Sequence, residues 1–90
     1  MQIRLYTGTI PDYASEVDGL LLSGVMGGGP AEKSGLQEGD VIVELAGQSI
    51  ANIYDYTYAL DLLEVGEPTP VVFVRDVDRI ETALIPEVRQ

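Results

Sequence analysis

Gly29-Pro30-Ala31-Glu32-Lys33-Ser34-Gly35-Leu36-Gln37-Glu38-Gly39-Asp40-Val41-Ile42-Val43-Glu44-Leu45-Ala46-Gly47 is the stretch from which the rest of this 90-residue chain can be laid out. Pro30 presets φ for a first helical turn, Ala31 to Ser34 continue it, and Gly35 can take the left-handed conformation that closes it, so one short helix is written here. Glu38-Gly39-Asp40 reads as a second turn. Val41-Ile42-Val43-Glu44-Leu45 then reads as a strand, rich in β-branched residues and apolar on both faces. Helix, turn and buried strand form the spine.

Upstream of the spine, Ile3-Arg4-Leu5-Tyr6-Thr7 alternates apolar and polar residues and predicts a strand ending at Gly8. Thr9-Ile10 can continue it, but Pro11 lacks an N–H and belongs at a sheet edge or a strand end. Asp12 to Gly19 reads as a loop, with Asp18-Gly19 turning into Leu20-Leu21-Leu22-Ser23-Gly24-Val25, a strand expected to be buried on both faces. Gly27-Gly28-Gly29 gives a flexible turn into the short helix.

Downstream, Ala46-Gly47-Gln48 predicts a tight turn and Ser49-Ile50-Ala51 at most a short strand. Asn52 is a good N-cap, with Asp55 three residues on as a shortened capping box, for a helix from Ile53 to about Glu64 that stops before Gly66 and Pro68. At 100° per residue, Tyr56, Ala59, Leu62 and Leu63 form one broad apolar face that wants the core. Ile53, Thr57 and Leu60 form a narrower stripe beside it, free to border something else. Val71-Val72-Phe73-Val74 predicts a buried strand, Asp76-Val77-Asp78 a hairpin turn, and Arg79 to Ile85 an alternating return strand.

Ninety residues make one domain over 1–90, and 46% hydrophobic residues suffice for one core. Cys and His are both absent, which removes the thiol nucleophile, the commonest general base and the commonest metal ligand together. No cofactor or metal is implied. Five basic against fifteen acidic residues give a net charge of −10, which repels phosphate backbones and anionic lipid, so nucleic acid is excluded as a partner. No apolar run approaches the roughly 20 residues that span a bilayer, and Met1-Gln2-Ile3-Arg4 carries no secretory h-region. Membrane insertion is not expected of this stretch. The compartment cannot be read from it.

The order strand, strand, short helix, strand, long helix, hairpin resembles a PDZ domain in its permuted bacterial arrangement. Three stretches carry the likeness: Gly19 to Val25, Pro30 to Val43, and Val71 to Thr82 around Phe73-Val74-Arg75-Asp76. The resemblance implies an α+β fold, a small, partly open antiparallel barrel or sandwich of five to six strands with one short and one longer helix. More narrowly, Ile10-Pro11-Asp12-Tyr13-Ala14 and Asn52 to Leu60 look like the module attached to secreted bacterial zinc aminopeptidases. Similar modules accompany bacterial serine proteases of the heat-requirement and carboxyl-terminal-processing types. The parent would then be a larger extracytoplasmic peptidase, periplasmic, secreted or on the cell envelope.

PDZ domains bind by β-augmentation: an extended peptide adds to an open sheet edge while its terminal carboxylate sits in a nest of backbone N–H groups. By position, the resemblance places that carboxylate loop on Tyr6-Thr7-Gly8-Thr9, with Ile10 beginning the pairing strand and Ile53, Thr57 and Leu60 forming the opposite wall. Gly8 fits the family pattern. Thr7 and Thr9 stand where the family has apolar residues, which makes the end pocket more polar or smaller. Pro11 would cut the ladder short. The implied partners are a peptide or protein C-terminus, or the parent's own catalytic domain, and an open edge can also pair with a second copy of itself. The rival is a structural spacer or docking domain with an unused groove.

Other signals are better read as structure. Gly27-Gly28-Gly29 lacks the spacing of a dinucleotide or P-loop motif, and Pro30 removes a donor from the anion site that a helix start would offer. Tyr54, Tyr56 and Tyr58 cannot all share one helix face, so Tyr56 is assigned to the core and its neighbours to half-exposed positions. Asp76 and Asp78 supply too few oxygens for calcium. Glu38 and Asp40 sit beside Gly39 in a turn, and nothing in the sequence suggests a desolvating pocket that would make them an acid–base pair. A self-sufficient hydrolase would need a Ser-centred elbow motif that is not there.

Overall fold

Gly8 divides the expected first strand into two. Its φ of +76° bends the chain where an L side chain would be strained, and the strands on either side join different sheets. The computed structural model describes residues 4–12 and 17–89; Ile3 and the loop positions 13–16 read from the sequence lie outside the described residues. In chain order the elements are β1 (Arg4–Tyr6), β2 (Thr9–Pro11), β3 (Leu20–Val25), α1 (Pro30–Lys33), β4 (Val41–Leu45), β5 (Gln48–Ser49), α2 (Ile53–Leu60), β6 (Thr69–Arg75), β7 (Asp78–Leu84) and β8 (Glu87–Arg89).

The main sheet is antiparallel and runs β2-β3-β4-β6-β7, with the short β5 paired to β4. A separate two-stranded ribbon joins β1 to β8, Leu5 standing opposite Val88. The architecture is therefore α+β and open: among the described residues β2 and β7 remain as edges and no barrel closes. β8 had no counterpart in the sequence reading. The strand it pairs with among the described residues lies more than eighty residues upstream, a pairing that no local pattern announces.

α1 starts and stops as written. Pro30 stands in its first turn, Ser34 caps it, and Gly35 follows at φ +97°. Glu32 reaches back to accept from the Gly28 N–H at 2.8 Å, while the Gly29 N–H goes to the Met26 carbonyl, so these two donors of the glycine turn are already engaged. The core is built from Leu20, Leu22, Ile42, Leu45, Val71 and Phe73 of the sheet against Tyr56, Ala59 and Leu63, with Ala31 and Leu36 closing one end. Ile42 and Leu45 lie three apart, which would point them to opposite faces of a regular strand. A register shift between Ile42 and Glu44 in the pairing with β6 brings both inside.

Three sequence expectations are corrected here. β3 buries Leu20 and Leu22 but leaves Ser23 exposed, so it is one-sided, as befits a strand next to an edge. α2 ends at Leu60, about one turn before Glu64, because the chain tightens into i→i−3 bonds from Asp61 to Tyr58, Leu62 to Ala59 and Leu63 to Leu60. That tightening swings Leu63 into the core and leaves Leu62 57% exposed, so Leu62 does not belong to the buried face. The N-terminal end of α2 is as read: Asn52 accepts from the Asp55 N–H at 3.0 Å, and Asp55 accepts from the Ala51 N–H at 2.9 Å.

One ion pair ties the middle of the sheet to the turn before it. Asp40, 1% exposed, accepts from Arg75 Nε and Nη2 at 2.8 Å each and from the Gln37 N–H, and Arg75 also donates to the Gly35 carbonyl. The same guanidinium lies over the Phe73 ring at 5.2 Å. Asp40 is thus a structural anchor. The hairpin between β6 and β7 turns on Asp76, at φ +59°, and the fully solvated Val77, with Arg75 facing Asp78.

Candidate functional site

The loop Tyr6-Thr7-Gly8-Thr9 is held from behind by the start of α1. The Ala31 N–H donates to the Thr7 carbonyl at 2.8 Å, and the Met26 N–H donates to the Gly8 carbonyl at 2.8 Å. A Cβ on Gly8 would meet Pro30 Cδ at 3.3 Å and the Gly29 backbone at 3.4 Å. Close approach and positive φ together require glycine at this position.

β2 leaves the loop along an open edge. The Gly8 carbonyl accepts from Met26, the Ile10 carbonyl accepts from the Ser23 hydroxyl at 3.1 Å, and the Asp12 N–H donates to the Leu21 carbonyl at 2.9 Å. Backbone groups alternate sides along a strand, so with the even positions turned to β3 the odd ones face outward. The open margin then offers the N–H and C=O of Thr9 and the C=O of Pro11. Pro11 has no N–H to give, and the register slips between Ile10 and Pro11. The margin is short, as its sequence predicts.

Side chains alternate too. Ile10 packs on the Gly24 side of β2, where a Cβ on Gly24 would touch it at 3.6 Å, and its main chain is turned to β3, so Ile10 supports the margin from the β3 side and sends its side chain to the face away from Thr9. Thr9 faces α2. Its Oγ1 lies 2.7 Å from the Tyr56 hydroxyl and 3.1 Å from Thr7 Oγ1, and Thr7 Oγ1 is itself 3.1 Å from the Tyr56 hydroxyl. Three hydroxyls from sites 47 to 49 residues apart close a triangle at the root of the loop.

Tyr56 therefore does more than fill the core. The residue is 4% exposed, and its hydroxyl joins α2 to the loop. Its helical position alone assigns Tyr56 to the core and does not disclose the second role. The available signal was the pair Thr7 and Thr9: two hydroxyls in place of apolar residues need partners, and a buried tyrosine needs one as well. On the helix, Ile53 and Leu60 are half-buried against the core, and Thr57 is exposed with its hydroxyl bonded to the Ile53 carbonyl at 2.9 Å. Ile53, Thr57 and Leu60 share one stripe of α2, connected to β2 through Tyr56. Tyr54 and Tyr58 occupy a further face at i, i+4 and are 71% and 72% exposed, more than the half-exposure expected. A surface hollow of about 540 Å³ between Ser23–Val25 and the Glu32–Glu38 segment lies outside this region.

Among the described residues no group of three or more Asp and Glu could hold a metal ion, and no helix is long and apolar enough to cross a membrane. The site offers hydrogen-bond donors, acceptors and a backbone margin, which is the chemistry of recognition.

Known proteins resemble this chain in sequence and in fold. The chain is 39% identical over 59 residues to a probable periplasmic serine endoprotease, DegP-like, of Marinomonas sp., covering 66% of this chain and 13% of that protein. It is 41% identical over 61 residues to the corresponding protein of Ectopseudomonas mendocina, covering 68% of this chain and again 13% of the relative. Among solved structures, the HtrA-type protease AlgW with decapeptide superposes at a TM-score of 0.86 with 21% identity, covering 98% of this chain and 30% of that one. The HtrA3 PDZ domain bound to a phage-derived ligand (FGRWV) superposes at 0.78 with 24% identity, covering 98% and 89%. These relatives overturn the finer likeness to zinc aminopeptidases: the proteins matched are serine endoproteases, and aminopeptidase or metalloprotease is withdrawn as a description of the parent. The sequence pattern of the PDZ domain matches residues 22–75, more than half of the chain, and the chain belongs to the PDZ domain family.

Proposed function

We propose that this domain is the peptide-recognition module of a longer, extracytoplasmic serine endoprotease, and that it receives an extended C-terminal segment along β2. The observation that carries the reading is the open margin beginning at Gly8. A positive-φ glycine, pinned against Gly29 and Pro30, starts an edge strand whose Thr9 and Pro11 backbone groups are turned outward. Carboxylate capture falls to the N–H groups of Thr7, Gly8 and Thr9, strand pairing to the backbone of Thr9 and Pro11 with Ile10 holding β2 to β3 behind them, and side-chain contact to Ile53, Thr57 and Leu60. The names of the relatives support a serine endoprotease parent and the periplasm, and two structural neighbours are described with bound peptide.

The chain spans 13% of each of these curated relatives, so activity and substrates belong to the longer proteins and recruitment is the part proposed for this one. The short β2 and its Pro11 favour a second reading, in which the groove goes unused and the domain docks on its own catalytic domain. Titration of the labelled domain with FGRWV, followed by amide shifts, separates the two. Saturable shifts at Thr7 to Ile10 and Ile53 to Leu60 are expected for peptide recognition; none from this or other free-acid peptides is expected for docking.

A further inference from the structure

We propose that the outward face of α2 and of the turn after it, built on Tyr54, Tyr58 and Leu62, is a second docking surface of this domain. Its occupant is a cationic amphipathic helix of another protein, one that sets Arg or Lys beside leucine-like side chains. The inference is independent of the groove along β2.

Tyr54, Tyr58 and Leu62 follow one another at i, i+4 and i+8, and each is more than half exposed. Ile53, Thr57 and Leu60 lie on the neighbouring stripe, so groove and outward face use different sides of one helix. Two aromatic rings and a leucine in one row are more than the scattered apolar residues of an ordinary surface. The row also has relief. Tyr58 and Leu62 border a hollow of about 220 Å³ against Ser49 of β5, and Leu62 borders another of about 340 Å³ against Ala46, Glu67 and Pro70. Leu62 is a ridge between two hollows, the form on which a second helix seats its side chains.

Charge says what covers this face. From residue 45 to residue 74 there is no Lys or Arg, while Asp55, Asp61, Glu64 and Glu67 stand on the helix or around the two hollows. Among the described residues Asp61, Glu64 and Glu67 form no ion pair. Asp61 caps the C-terminal end of α2, and no basic residue stands in the last turn. A helix C-terminus carries partial negative charge and is stabilised by cations, so Asp61 and Glu64 oppose the helix they follow. A partner that brings the missing cations accounts for that arrangement. Arg suits it doubly, because a guanidinium pairs with carboxylates and stacks on tyrosine faces while neighbouring leucines fill the hollows. A second copy of this chain would add its own excess of acid, and nucleic acid or anionic lipid would be repelled.

The probe is a helix-forming peptide of about 18 residues, made of Ala, Leu and Arg with the leucines along one face and the arginines flanking them. Amidation removes the terminal carboxylate that the β2 groove would capture. Titrated into the labelled domain, it should give saturable shifts at Ser49, Tyr54, Tyr58 and from Leu62 to Val65, with Thr7 to Ile10 unmoved. Affinity should fall at least threefold between about 50 and 200 mM salt. Asp61→Asn with Glu64→Gln is expected to weaken binding about threefold to tenfold while the unfolding midpoint stays or rises. Tyr58→Ala with Leu62→Ala should weaken it at least tenfold. Glu38→Gln with Glu81→Gln removes the same charge from exposed positions elsewhere and should change affinity by less than about twofold. Equal losses from the two carboxylate pairs, shifts centred on β2 or β7, or no saturable binding would overturn this surface. A lowered midpoint in Asp61→Asn with Glu64→Gln would make those carboxylates structural and overturn it as well. None of these results bears on the β2 groove, which the free-acid titration judges separately.

Discussion

The sheet ends in two edges that differ in almost every respect. β7 offers seven residues in unbroken register with β6, from Leu84 opposite Thr69 to Asp78 opposite Arg75. β2 offers three, with a register slip and a proline at its end. By ladder length alone β7 would be the better template for an incoming strand. Yet β7 carries Asp78, Arg79 and Glu81 exposed along it, Arg79 pairs with Glu44, and its Thr82 is tied to the Ser34 carbonyl at 2.8 Å. Charge on an edge is how sheets discourage unwanted pairing. β2 instead begins at a glycine loop backed by α1 and faces α2 through Tyr56. An edge becomes a site through what stands at its end and beside it, more than through its length.

The largest effect would come from what both edges share. Asp40→Ala strands the Arg75 guanidinium without its carboxylate, and about 2–4 kcal/mol of stability should be lost, toward the lower part of the range for a broken buried pair because Arg75 is a third exposed. Chemical denaturation measures it. Hydrogen bonding to Asp40 is the main cause that raises the Arg75 pKa above its ordinary value, with the nearby charges of Asp40 and Asp76 adding to it and desolvation opposing. From the arginine side, the pair's contribution is complete below that ordinary value and is lost only as pH climbs through the raised one, so wild type should show no loss from Arg75 across neutral pH.

Gly8→Val should separate the edges. Valine at φ +76° against Pro30 is expected to cost about 1–3 kcal/mol and to lower peptide affinity at least tenfold, with β7 amides unmoved. Pro11→Val should sharpen the contrast from the other side. It gives the open margin the N–H it lacks, and peptide affinity should rise about threefold to tenfold by isothermal titration. Smallest in stability is Arg79→Val with Glu81→Val, expected to change unfolding by no more than about 0.5 kcal/mol. By light scattering that variant should self-associate where wild type does not, while binding peptide as before.

Much of this was legible in the sequence because its causes are local. Pro30 and Gly35 bracket α1, Asn52 and Asp55 start α2, Asp76 marks the hairpin, and Pro11 announces an edge. What escaped was set by partners distant in the chain. The early end of α2 follows from Leu63 reaching the core, the one-sided burial of β3 from its place next to an edge, and β8 from a strand at the opposite terminus. For the site, Thr7 and Thr9 could be read as a polar departure, whereas the hydroxyl that completes them arrives from a helix whose approach no spacing encodes. The parent class was misread for a related reason: short loop and helix phrases pointed to aminopeptidases, while the longer matched segments belong to serine endoproteases.

The most direct test is a residue-by-residue map of amide shifts as a free-acid decapeptide saturates the domain. Changes concentrated at Thr7 to Ile10 and along Ile53 to Leu60, with Asp78 to Leu84 unaffected, are the predicted result. Changes centred on β7, or on neither edge, would contradict it.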